Sequence, residues 1–225
     1  MYLFDKVSKN IARKMAIELK LDEDKEEVIA YGAYGVLQTT WSIFLIAVFG
    51  FICGLFIESM LISFAAAFLR KYSGGAHASS PNTCAVIGVI IFILLSFIAN
   101  NLMSIGYIFI YVIIGINYIF TYLMLYKFCP NDSPAKPIKK QETIKRLRKK
   151  SFLFVSILAL FSLIFLILWN HNLFFLKIVL CISLGFAWQS ITLTLTGHLI
   201  TNKLDDILKS ISKKIGGGEN NEQIN

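Results

Sequence analysis

Residues 70–99 read RKYSGGAHASSPNTC followed by AVIGVIIFILLSFIA. The second half is an unbroken apolar run, and residues 60–69 (MLISFAAAFL) before Arg70 are another. A polar, glycine-containing break between two such runs reads as a connection between membrane helices, so the fold class is settled here. Gly74-Gly75 permits a sharp turn, because glycine adopts backbone conformations other residues resist. Ser79-Ser80-Pro81 then reads as a helix start, with a serine cap and proline in the first turn. Cys84 falls about one turn into that helix, where the helix dipole favours a thiolate.

The whole composition agrees. Of 225 residues, 56% are hydrophobic and only 16% charged, which excludes an ordinary soluble domain of this length. The net charge of +8 raises nucleic acid as a partner. The cations, however, cluster in segments that flank the apolar runs, which suits a membrane surface, and no nucleic-acid partner is expected. The first twenty residues mix Asp5, Lys6, Arg13, Lys14 and Glu18 with apolar positions, so no cleavable signal peptide is expected. Four cysteines in a multi-span chain do not make a disulfide framework, and Cys53 and Cys181 read as small hydrophobes.

Taken in order, residues 3–21 place Leu3, Phe4, Val7, Ile11, Met15 and Leu19 at helical spacing among lysines and Arg13. This predicts an amphipathic helix, either lying on the membrane or packed on the protein's own cytoplasmic face. Asp22-Glu23-Asp24 predicts the start of the next helix, which enters the membrane near Tyr34. Six spans are expected: 34–57, a short one near 60–69 that spans or re-enters, 84–99, 105–126, 152–169 and 173–195. Asn100-Asn101 and Asn170-His171-Asn172 are expected turns. Between the fourth and fifth spans, residues 127–150 hold nine Lys/Arg against Asp132 and Glu142. Beyond Lys203 an amphipathic piece precedes Gly216-Gly217-Gly218 and a disordered end. The expectation is an all-α, polytopic membrane protein of three hairpins. Residues 1–200 would form one membrane-embedded catalytic domain, with a cytoplasmic segment at 1–30 and a basic cytoplasmic loop at 127–150. Residues 201–225 would form a cytoplasmic tail.

Orientation follows from charge. The N-terminal segment, Arg70-Lys71, the 127–150 loop and the C-terminal segment hold nearly all the cations, and the connections near 58, 100 and 170 hold none. The positive-inside rule puts the cation-rich side, with both termini and the 70–84 stretch, in the cytoplasm.

The chemistry lies in the same stretch. Alone, His77 reads as an interfacial hydrogen-bonding residue and Cys84 as a small apolar one. Together, seven residues apart around Gly74-Gly75, they read as a general base and a thiol nucleophile. Backbone N–H groups near Gly75 or at the Ser79-Ser80 helix start are candidates for an oxyanion hole. A third group to orient the histidine is not obvious, with Ser79, Ser80 and Asn82 nearest and Glu58 placed on the opposite face. Arg70 has three readings: a topological anchor, a docking charge for an acidic substrate segment, or electrostatic support for the thiolate. Cys129 is the rival thiol on the same side and has no neighbouring histidine. His198, Asp205 and Asp206 read as structural. A metal site using His77, Cys84 and His198 lacks any recognised ligand spacing, so no metal is assigned. The reading from another class is a non-enzymatic transporter or peptide exporter component. Intramembrane ionisable residues would mark its path, and only Glu58 and Lys177, near span ends, qualify.

Arg70, Gly75, His77 and Cys84, in this order and spacing, resemble the pattern of the AgrB family: an arginine, a glycine-histidine segment, and a cysteine seven residues after the histidine. The lysine-rich segment around Lys136-Pro137-Ile138 is similar too, and order and spacing fit over roughly residues 1–200. The resemblance implies an integral-membrane cysteine endopeptidase of quorum sensing that needs no cofactor. Its partner would be an AgrD-like propeptide, cleaved on its C-terminal side through a thioester on Cys84 that a thiol of the precursor then displaces to give a cyclic thiolactone. The resemblance also implies a homodimer, and puts Arg70 in the functional set.

Overall fold

The computed structural model describes residues 2–76, 78–131, 141–168 and 172–216. His77, Lys136-Pro137-Ile138, the Asn170-His171 part of the expected turn and residues 217–225 lie outside the described residues. Among the described residues eight helices run in order: α1 (Tyr2–Leu19), α2 (Glu23–Ile52), α3 (Phe56–Ser73), α4 (Pro81–Leu102), α5 (Tyr107–Phe128), α6 (Gln141–Leu168), α7 (Leu173–Ile191) and α8 (Leu195–Gly216). Five of them, α2, α4, α5, α6 and α7, are long and apolar enough to cross a membrane. The chain is thus an all-α, multi-pass membrane protein.

α3 is the second of the six expected spans and differs in kind. It is one unbroken helix of 18 residues, so the chain does not re-enter within it. It carries Glu58 in its first turn and Arg70 and Lys71 in its last. At 1.5 Å per residue it is about 27 Å long, close to a hydrocarbon core. Two boundaries shift from expectation. The first span ends at Ile52 rather than at 57, because Gly54 at φ +68° lets the chain turn, and Phe56-Ile57-Glu58 opens α3 instead. Residues 141–150, expected as loop, are the first turns of α6. Their Gln, Glu, Lys, Arg and Leu residues are good helix formers, and they continue directly into the apolar span.

Asp22 caps α2 as expected, accepting from the Lys25 N–H at 3.0 Å. α1 folds back along α2 rather than lying apart from it. Ser8, Ala12 and Ala16 form its buried stripe, and the Phe4 and Trp41 rings sit 6.1 Å apart.

The middle of the bundle is α3 against α7. Their approach is close: a Cβ on Gly185 would lie 2.5 Å from the Ile62 carbonyl oxygen and 2.9 Å from the Ala65 Cβ. Ser59, Ser63, Ala65 and Ala66 on α3 are buried, as are Ser183 and Gly185 on α7. Small residues suit helices in lipid, where packing and interhelical hydrogen bonds replace the hydrophobic drive between helices. Those bonds are present. Asn117 donates to Ser183 at 3.1 Å, Tyr118 pairs with Ser162 at 2.8 Å, and Lys177 reaches Glu58 at 2.9 Å and Asn100 at 3.1 Å. Phe51, Ile108 and Ile167 are among the large apolar side chains on the outer surface, as a lipid-facing surface requires.

Candidate functional site

The polar stretch between α3 and α4 is held by three parts of the chain at one end of the bundle. α3 ends at Gly74, whose N–H donates to the Arg70 carbonyl at 2.9 Å. Gly74 has φ +71° and Gly75 φ +135°, so both occupy backbone conformations that glycine adopts without strain. Space makes the same demand. A Cβ on Gly74 would lie 2.0 Å from the Asn131 carbonyl oxygen, and one on Gly75 would lie 2.6 Å from the Thr192 hydroxyl.

Asn131, just beyond α5, bridges to Gly74, and its N–H donates to the Ser73 carbonyl at 2.8 Å. From the end of α7, the Gln189 amide donates to the Gly74 carbonyl at 2.6 Å and to the Ser73 hydroxyl at 3.1 Å. The Ala76 N–H donates to the Thr192 carbonyl at 2.9 Å. Asn131 also donates to the Leu193 carbonyl and meets His198 Nε2, both at 3.1 Å. Gln189, Thr192 and Ser73 are buried, and buried polar groups are satisfied by such partners.

Arg70, half-buried at the last turn of α3, donates from its guanidinium to the Ala76 carbonyl. It is also close enough to Cys84 for their charges to interact. Arg70 thus holds the loop that joins α3 to α4.

Ser80 caps α4: its hydroxyl accepts from the Thr83 N–H at 3.2 Å and pairs with the Thr83 hydroxyl at 2.6 Å. Pro81 takes the first helical position, and the Cys84 N–H makes a first-turn bond to the Ser80 carbonyl at 3.0 Å. Cys84 is thus one turn into α4, as its spacing from Pro81 predicts. It is partly exposed. Ser79 is exposed and lies against Asp205 of α8.

Arg70, Gly74, Gly75, Ser79, Ser80 and Cys84 are therefore neighbours. Glu58 is not, since twelve residues of α3 separate it from Arg70, about 18 Å along the axis. It pairs with Lys177. Cys129 sits two residues before Asn131 but is buried, and its thiol donates to Ser151 at 3.3 Å. Burial pushes that thiol up, away from the thiolate a nucleophile needs. Cys53 is exposed at the Glu58 end, and Cys181 is buried in α7. Gln189, Asn131 and Thr192, which the sequence reading passed over, build the loop's support. The only signal for them is polarity at the ends of apolar runs.

Comparison with known proteins gives the family. The family model for accessory gene regulator B matches residues 8–193. An AgrB-like protein of Clostridium perfringens (strain SM101) is 35% identical over 93% of this chain and all of its own length. A second, from strain 13, is 34% identical over the same shares. An AgrB-like protein of Listeria innocua is 26% identical over 62% of this chain and 66% of its own. No solved structure is a significant match. With the family model covering most of the membrane bundle and full-length relatives above three-tenths identity, this chain belongs to the accessory gene regulator B (AgrB) family of the agr quorum-sensing system.

Proposed function

We propose that this protein is a membrane-embedded cysteine endopeptidase that cleaves an AgrD-like propeptide, with Cys84 as nucleophile and His77 as general base. One observation carries the reading: a partly exposed cysteine at a helix start, beside an arginine that also grips the adjoining loop. His77 takes the Cys84 proton, and the thiolate attacks the scissile carbonyl carbon. The carbonyl electrons move onto oxygen and then return, breaking the C–N bond. The leaving amine takes the proton from His77, and the acyl group remains on Cys84 as a thioester. A thiol within the precursor then attacks that thioester. Cys84 is released with a proton, and a cyclic thiolactone forms. The Arg70 charge and the dipole at the start of α4 favour the sulfur anion through both steps.

The partner is a propeptide presented at the membrane, and the enzyme acts as a homodimer in the cell membrane, with this site and both termini in the cytoplasm. No cofactor enters the scheme.

The test is cleavage of an AgrD-like peptide in membranes. Cys84→Ala and His77→Ala should each lower cleavage to background with insertion unchanged. Cys53→Ala, Cys129→Ala and Cys181→Ala should stay active. An active Cys84→Ala with a dead Cys129→Ala would place the nucleophile elsewhere.

A further inference from the structure

α8 presents an unusual inner face. Its buried stripe is Gly197, Thr201 and Asp205, spaced one turn apart, so a helix amphipathic by pattern turns small and polar positions inward. The first turns are fixed to the site's support. A Cβ on Gly197 would lie 2.1 Å from the Ile191 carbonyl oxygen, and His198 meets Asn131 at 3.1 Å. Two turns further on, Asp205 is 5% exposed. Its Oδ2 pairs with Lys209 at 2.8 Å, at the rim. Its Oδ1 is buried without a hydrogen bond of normal geometry, although Ser79 lies beside it. A buried carboxylate oxygen whose nearest donor falls short of hydrogen-bond geometry is poorly satisfied. Ser79 precedes the Ser80 cap and stands five residues before Cys84. The family match ends at residue 193, so Asp205 lies beyond it.

We propose that Asp205 is a positioning residue for the reaction: its buried Oδ1 accepts a hydrogen bond from Ser79 once peptide is seated, and so fixes the loop from which Cys84 works. Catalytic hydrogen bonds that are loose in a free enzyme commonly tighten in the reacting complex. The Lys209 ammonium, bonded to Oδ2, holds the carboxyl below the usual carboxylate range, so it is an acceptor at neutral pH. The inference rests on Cys84 being the nucleophile.

The experiment compares Asp205→Leu, Asp205→Asn, Ser79→Ala and the Asp205→Leu/Ser79→Ala pair, with Asp206→Asn, an exposed neighbour, as control. Misplacing a reacting group by about 1 Å costs on the order of a hundredfold in rate. Asp205→Leu should therefore lower kcat by about that factor with KM little changed, because the leucine fills the space but accepts nothing. Asp205→Asn, which keeps an acceptor oxygen, should recover most of the rate. The double variant should be no worse than Asp205→Leu alone, and Asp206→Asn should match wild type. Full activity in Asp205→Leu, a loss that Asn does not rescue, or losses that add in the double variant would overturn the proposal. Contact is tested apart from cleavage, in a background without the four native cysteines: Ser79→Cys with Asp205→Cys should oxidise to a disulfide. Failure to cross-link would also overturn it. If wild type cleaves through Cys84 while Asp205→Leu is unaffected, only this inference falls. If Cys84→Ala still cleaves while the cross-link forms, it is the nucleophile reading that falls.

Discussion

At the scale of single residues, the two loop glycines do different work from the other glycines of the bundle. Gly75 stands at φ +135°, with room for a Cβ only 2.6 Å from the Thr192 hydroxyl and 3.1 Å from the Gln189 amide nitrogen. Gly75→Ala must therefore displace the partners that hold Gly74 and Ala76. It should lower propeptide cleavage by about a hundredfold, the usual consequence of moving a reacting group by an ångström. Gly88, four residues past Cys84, would place its Cβ 3.6 Å from the Phe92 ring, an ordinary contact. Gly88→Ala should cleave like wild type, and a side-by-side cleavage assay of the two variants decides the matter. The sequence made Gly74, Gly75 and Cys84 legible because turn chemistry and helix-start chemistry are local. It could not point to Gln189, and it gave Asp205 only a structural reading. Their meaning comes from contacts with the loop more than a hundred positions away, and no local rule singles out one polar residue near a helix end.

Between elements, the contact that positions the site is α3 on α7. α3 supplies Arg70 and the glycine turn, and α7 ends in Gln189, so sliding one helix past the other would pull the loop from its support. Gly185 sets how near the two helices come, with its Cβ position 2.5 Å from the Ile62 carbonyl oxygen. Gly185→Ala should push the helices apart and destabilise the protein by about 1–3 kcal/mol, the usual cost of overpacking. The expected readout is a lower midpoint in thermal unfolding of the detergent-solubilised protein; an unchanged midpoint would mean the helices separate at no cost. Sequence periodicity found the five membrane-competent helices of the described residues because long apolar runs are the strongest signal a chain carries. It erred where that signal ends. Apolar Phe56 and Ile57 gave no hint that Gly54 already breaks the helix, and the charges of residues 145–150 read as loop although lysine and arginine are good helix formers. α3 was legible only as a short span, since its small buried faces give it neither the length nor the hydrophobicity of its neighbours.

For the whole molecule, the antiparallel order of α2, α3 and α4 places Cys53 and Glu58 at one end of the bundle and Arg70 and Cys84 at the other. The charges divide along the same axis. Arg70 and Lys71, Lys127 and the basic start of α6 lie toward the Cys84 end, whereas at the Glu58 end Lys177 is neutralised by its ion pair. The positive-inside rule then predicts Cys84 on the cytoplasmic side and Cys53 outside. The four native cysteines make this testable without engineering, because Cys129 and Cys181 are buried and serve as internal silent controls. A membrane-impermeant maleimide applied to intact cells should label Cys53 and spare Cys84. Applied to inverted vesicles, it should label Cys84 and spare Cys53, with mass spectrometry of the digested protein assigning each adduct. Labelling of both from one side would mean that α3 does not carry the chain across the membrane. Labelling in the reversed sense would put the candidate site on the outer face, where an unprocessed propeptide leaving the ribosome could not reach it.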